Sequence, residues 1–182
     1  MPANAIRIIG GQWRGRKLRF PDAPALRPTP DRVRETLFNW LGQDLTGRVT
    51  LDPFAGSGAL SLEALSRGAT LAVAVDKDPQ LVRALETIAA KLGTQALETH
   101  CADAQAFLAW DARAYDVVFL DPPFSEDGWT QLLPAAAARV AKSGMLYVEA
   151  PVPIAAPEGM MLWRHDKAGQ VHYHLLRHTG RD

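Results

Sequence analysis

The feature that most constrains this chain is the run Val117-Val118-Phe119-Leu120-Asp121, followed at once by Pro122, Pro123 and Phe124. Consecutive apolar residues leave no polar face for water, so the segment predicts a strand buried on both sides, as inside a parallel sheet. Two prolines then end the ladder, because neither carries an N–H, and Pro122 holds Asp121 extended. The expected result is a rigid rim at a strand's carboxyl end, bearing an acid, unpaired carbonyls and an aromatic ring. In open α/β sheets ligands bind at that rim.

The same alternation runs through most of the chain. Strands are predicted at residues 49–52, 71–76, 97–101, 115–121 and 145–149, and helices at 59–67, 104–110 and near 129–141. A further helix opens on Asp78-Pro79 and closes on Gly93; its Leu81, Val82, Leu85, Ile88, Ala89 and Leu92 fall on one stripe. No helix fits between residues 160–164 and 171–177, which therefore predict an antiparallel hairpin with residues 165–170 as its connection. The pattern implies an α/β fold with a doubly wound, mostly parallel sheet and a last strand antiparallel. This domain is expected to cover residues 43–182, after a smaller N-terminal extension at 1–42.

That extension is where the charge is uneven. The whole chain is neutral, yet Met1 to Arg34 holds eight cations against two acids, a net +6. Residues 5–9 and 16–20 predict a hairpin around Gly10 to Gly15, with Trp13 near its tip. Arg7, Arg14, Arg16, Lys17, Arg27, Arg32 and Arg34, interleaved with Trp13, suit phosphate contact and base stacking, so a nucleic-acid partner is implied. Thr29-Pro30 predicts an N-cap and first helical residue for a helix reaching Leu41 and ended by Gly42.

Several classes are disfavoured. No apolar run approaches the ~20 residues that cross a bilayer, and the start lacks an apolar secretory core, so a cytoplasmic protein is expected. Cys101 alone cannot build a disulfide framework, and its strand position predicts a small core residue in a reducing compartment. The five histidines show no metal-ligand spacing, so no metal site is expected; His172 and His174 predict surface positions on an edge strand.

The second motif, Leu51-Asp52-Pro53-Phe54-Ala55-Gly56-Ser57-Gly58-Ala59-Leu60, joins the first core strand to its helix. Its glycines allow a tight turn and close approach of backbone to ligand. A dinucleotide fingerprint would want a third glycine where Ser61 stands, and Asp52 would repel a pyrophosphate. The acid suits instead the amino group of a zwitterionic sulfonium cofactor. Asp76, beside Lys77 at the next strand end, is placed for ribose hydroxyls, and Asp103-Ala104 for an adenine edge. Four acids at successive strand ends, Asp52, Asp76, Asp103 and Asp121, thus imply S-adenosylmethionine. The bland alternative is that each only caps the following helix. At the rim, Asp121 and a backbone carbonyl could hold the two hydrogens of a planar amine, with Phe124 stacked on the flat substrate.

The two motifs together resemble class I methyltransferases that modify amino groups. The segments Ile8-Ile9-Gly10-Gly11-Gln12-Trp13-Arg14-Gly15-Arg16 and Arg27-Pro28-Thr29-Pro30-Asp31-Arg32-Val33-Arg34-Glu35-Thr36-Leu37-Phe38-Asn39-Trp40-Leu41 resemble the RsmD family across nearly the whole chain. The resemblance implies a Rossmann-like, seven-stranded class I methyltransferase sheet and methylation of N2 of guanine 966 of 16S rRNA, in a small-subunit assembly intermediate with or without ribosomal proteins, by a monomer. It also implies that residues 52–58, Asp76, Asp103 and Ala104 line the cofactor and that Asp121, Pro122, Pro123 and Phe124 form the acceptor site. Arg27, Thr29 and residues 32–36 would close over the pocket or touch RNA. Two departures stand out: Ser61 in place of glycine, expected to loosen helix packing slightly, and Asp76 in place of glutamate. Other acceptors, adenine N6 or a protein glutamine, and a non-catalytic RNA-binding assembly factor, are the competing readings.

Overall fold

The computed structural model describes residues 5–21, 29–123 and 128–179. Its centre is a seven-stranded sheet in the order β5-β4-β3-β6-β7-β9-β8. The strands are β3 (Val49–Asp52), β4 (Leu71–Asp76), β5 (Leu97–Cys101), β6 (Tyr115–Leu120), β7 (Val140–Ala150), β8 (Met160–Ala168) and β9 (Val171–His178). All neighbours from β5 to β7 pair in parallel, and β9 runs antiparallel to both β7 and β8. Because β4 lies on one side of β3 and β6 on the other, the connections diverge there, leaving a crevice outside the carboxyl ends of β3 and β6.

Alternation along the inner strands sorts side chains into two cores. Val117 and Phe119 of β6 and Tyr147 of β7 face α1 (Asp31–Trp40), α2 (Ala59–Ser66) and α3 (Pro79–Leu92). Val118, Leu120, Leu146 and Val148 face α4 (Ala104–Trp110) and α5 (Trp129–Ala137). Asp78 caps α3 by accepting from the Gln80 N–H, and Gly93 closes it in the left-handed region.

The N-terminal strands β1 (Ala5–Arg7) and β2 (Lys17–Arg19) pair antiparallel, and Ile6, Ile8, Leu18 and Phe20 enter the same core as α1 and α2. Between them, residues 11–13 form a 3₁₀ turn pressed against the end of α2. Gly11 has φ 74°, and a Cβ there would lie 1.8 Å from the Ser66 carbonyl oxygen, so only glycine allows the approach.

Within the sheet, the structure departs from sequence expectation as follows. Strand β7 begins at Val140 rather than residue 145, bulging between the Tyr115 and Val117 pairs; a side chain on Gly144 would meet the Tyr115 and Asp116 carbonyls. The hairpin of β8 and β9 is longer than predicted, because Gly169 at φ 59° permits a two-residue turn. Cys101 is exposed rather than core, since β5 is a sheet edge whose faces are only half covered. His174 is buried rather than on a surface edge, since β9 lies inside the sheet; its Nδ1 is 3.2 Å from the Val148 carbonyl oxygen, and its Nε2 accepts from the Ile154 N–H.

Candidate active site

Asp52 ends β3 in the floor of the crevice, only 2% exposed. The Ser61 hydroxyl donates to its Oδ2 at 3.2 Å, whereas its Oδ1 is buried without a hydrogen-bond partner. Burial dominates its titration and pushes the carboxyl up to about 7, against the opposing Ser61 hydrogen bond and the nearby Phe54 N–H. Ser61 is fully buried and holds the acid, so it is a partner of Asp52 rather than a source of loose packing. Past Asp52 the chain turns through Phe54, Ala55, Gly56, Ser57 and Gly58 into α2. Gly56 and Gly58 have φ 53° and 73°, and a Cβ on Gly58 would lie 2.2 Å from a Leu85 methyl. This loop is tied to β4: Asp76 accepts the Gly56 N–H through Oδ2 and the Asp78 N–H through Oδ1. Lys77 beside it points to solvent.

Asp103 is exposed and accepts the Ala106 N–H, so it caps α4 as the bland reading required, with Ala104 buried beneath it. That role leaves its second carboxylate oxygen available to a ligand. Asp121 follows the Leu120–Val148 pair and stays partly open to the crevice; Pro122 is buried and Pro123 exposed. Phe124 and Arg27 lie outside the described residues.

Glu149 follows that same pair on the β7 side, is 5% exposed, and accepts from the Tyr147 hydroxyl at 2.8 Å. Sequence reasoning passed over it, although it too ends a predicted strand beside the Asp121 rim; that position was the available signal. Enclosure of the Asp121 carboxyl, then the charges of Glu149 and Asp52, push its pKa well above the ordinary range, while the Thr29 hydroxyl pulls it back. Burial raises Glu149 likewise, against the Tyr147 hydroxyl. Three acids thus crowd one crevice with no cation among the described residues to balance them. A cationic ligand with donor hydrogens fits this arrangement, and a phosphate does not.

The N-terminal residues divide. Arg7, Arg14, Arg16, Lys17 and Arg32 are exposed. Trp13, expected at the tip for base stacking, is instead 6% exposed; its backbone N–H donates to Ser66 Oγ and its ring enters the core. Arg34, also expected to touch RNA, is 1% exposed. It pairs with Asp31 and Glu63 and donates to the Arg7 and Thr29 carbonyls. Thr29 does not cap α1, which starts after Pro30 without a side-chain cap; its hydroxyl donates to Asp121 Oδ2 at 3.3 Å. A groove of about 410 Å³ between the hairpin loop and α1, lined in part by Arg14, Glu35 and Asn39, is separate from the crevice.

A family model described as Conserved hypothetical protein 95 matches residues 6–177. The chain is 43% identical to ribosomal RNA small subunit methyltransferase D of Escherichia coli K12, over 94% of this chain and 89% of the relative. It is 37% identical to the protein of the same name from Haemophilus influenzae, over 94% and 93%. Among solved structures, yhhF from Escherichia coli superposes with a TM-score of 0.87 at 41% identity, covering 98% of this chain and all of that one. HI0767 from Haemophilus influenzae does so at 0.81 and 34%, covering 96% and 99%. With nearly its whole length matched in both sequence and fold, the chain belongs to this family, the RsmD methyltransferases.

Proposed function

We propose that this protein transfers a methyl group from S-adenosylmethionine to the exocyclic N2 of one guanine, position 966, in 16S rRNA of the small ribosomal subunit. The relatives named ribosomal RNA small subunit methyltransferase D support rRNA methylation. The guanine N2 and its position follow from the resemblance of the N-terminal motifs. The observation that carries the reading is the buried, unpartnered oxygen of Asp52 beside Asp121 and Glu149.

The cofactor, when bound, supplies an electrophilic methyl on a sulfonium centre. In this reading the orphan oxygen of Asp52 receives its amino group, and Ser61 fixes the carboxylate that does so. Asp76 reaches the ribose hydroxyls while holding the glycine loop, and Asp103 with the Ala104 N–H reads the adenine edge. Phe54, Ala55, Gly56, Ser57, Gly58 and Lys77 complete that wall. Asp121 accepts one hydrogen of the guanine N2 and the Pro122 carbonyl the other, while Pro123 stiffens the rim and Phe124 stacks on the base. A methylated N2 would have to give up one of its protons, and in this reading Asp121 accepts it. Alignment of two reactants of this kind is worth roughly 7–11 kcal/mol. Arg7, Arg14, Arg16, Lys17, Arg27 and Arg32 contact phosphates, and the substrate is the rRNA of an assembling particle, which must yield the base from its stack.

The test is to incubate the protein with labelled S-adenosylmethionine and small-subunit particles or deproteinised 16S rRNA lacking the modification, then map the methylated nucleotide. Asp121→Ala is expected to keep cofactor binding and lower transfer by roughly 10²–10³-fold. Label on another base, or full turnover by the Asp121 variant, would overturn the assignment.

A further inference from the structure

We propose that Thr29 is a positioning residue for Asp121, aiming its carboxylate at the acceptor amine, and that buried Arg34 fixes Thr29 in the place from which it does so. The inference rests on the reading of Asp121 as the group that receives the substrate amine.

The geometry runs as one chain of contacts. The Thr29 hydroxyl donates to Asp121 Oδ2 at 3.3 Å, across 92 residues of sequence. Thr29 is itself buried, 7% exposed, so this hydroxyl is not an incidental surface contact. Its carbonyl accepts from Arg34 Nε at 3.3 Å. Arg34 is anchored on the other side by Glu63 at 3.4 Å and by the Arg7 carbonyl at 2.9 Å. Glu63 in turn accepts the N–H groups of Ile9 and Gly10 at 2.9 and 2.8 Å. Asp121 leaves the end of its strand just before two prolines, which offer no N–H to hold it. The Thr29 hydroxyl is the sole hydrogen-bond donor to the Asp121 carboxylate among the described residues. The other groups that face it, Asp52 from β3 and Glu149 and Tyr147 from β7, are acids and a phenol whose proton is given to Glu149. Thr29 therefore opposes the repulsion that would turn the carboxylate aside or keep it protonated.

The experiment compares Thr29→Val, which removes the hydroxyl at nearly constant volume, with Thr29→Ser, which restores it, and with Asp121→Ala. Cofactor affinity, kcat, KM for the RNA particle and the pH profile are measured for each. Thr29→Val should lower kcat roughly tenfold with KM and cofactor affinity little changed, as expected for losing one charge-assisted hydrogen bond. Because the hydroxyl favours the ionised acid, its removal should also move the acid limb of the profile to higher pH, so the deficit is largest at low pH. Thr29→Ser should recover both rate and profile. A wild-type rate and profile in Thr29→Val overturns the proposal, as does a loss shared equally by cofactor binding or not rescued by serine. Full activity in Asp121→Ala would sink the site assignment itself, and inactivity there with an intact Thr29→Val would sink only the role of Thr29.

Discussion

Helix α2 has a buried carboxylate on one side of each of its ends, and the two are treated oppositely. Glu63, fully buried towards the C-terminal half, accepts from Arg34, Arg67 and the N–H groups of Ile9 and Gly10. Asp52, just before the loop that opens the helix, has one hydroxyl and one orphan oxygen. Asp121 and Glu149 beside it share that shortage, with only hydroxyl donors between them. A buried charge used for architecture arrives with its partners, because an unpaired one is costly. A buried charge left short of partners is a strain the fold retains only where a ligand completes it.

The largest effect expected from breaking this contrast is at the satisfied acid. Glu63→Ala leaves the buried Arg67 guanidinium and two backbone amides without their acceptor and takes one of two acids from Arg34, and should reduce unfolding free energy by about 3–5 kcal/mol in urea denaturation. A loss below about 1 kcal/mol would mean that the network does not fasten the N-terminal segment. Asp52→Asn should do the reverse at the other end. In ligand-free protein at about pH 8 it removes an ionised buried group, so it should stabilise by about 1–3 kcal/mol, while weakening cofactor binding by roughly 10–100-fold. The difference should shrink as pH falls below about 7 and vanish only below about pH 4, where Asp52 is protonated in the folded and unfolded chain alike; a gain that persisted there would contradict the titration argument.

A carboxyl held above its unfolded value favours the folded state when protonated, and that contribution fades as pH rises from about 4 towards 7. A cation binds the ionised form, so cofactor affinity and the thermal shift it produces should both grow over the same interval and level off above it. A thermal shift that is flat with pH would remove Asp52 as the ligand's partner. The smallest effect concerns the exposed cations: Arg14→Ala with Arg16→Ala should reduce the salt slope of RNA binding by about 2. An unchanged slope would take the hairpin out of the RNA footprint.

The inner strands and helices were legible because burial on both faces leaves a continuous apolar signature, as in β4 and β6, and because caps such as Asp78 and Gly93 are local. Acids at strand ends were legible for the same reason, since they interrupt that signature. What could not be read was partnership at a distance. Arg34 and Arg14 look alike in a charge count, yet one is locked to Glu63, 29 residues away, and the other is exposed. Trp13 looked like a stacking platform because the hairpin carries no sign of the helix end it rests on. Thr29 carried a capping pattern, but its hydroxyl found an acid 92 residues on. His174 and Cys101 were misplaced because strand order, which decides what is edge and what is interior, is not written in local spacing.

The seat of Gly11 on the last turn of α2 has a mechanical corollary. That helix has eight residues, about 12 Å of rise, with the glycine loop at its start and the hairpin fastened at its close. A rod this short neither bends nor stretches appreciably, so anything gripped by the hairpin sits at a set span from the crevice. The molecule thereby carries its own gauge block, and lengthening it by a single turn would displace one end against the other by about 5 Å.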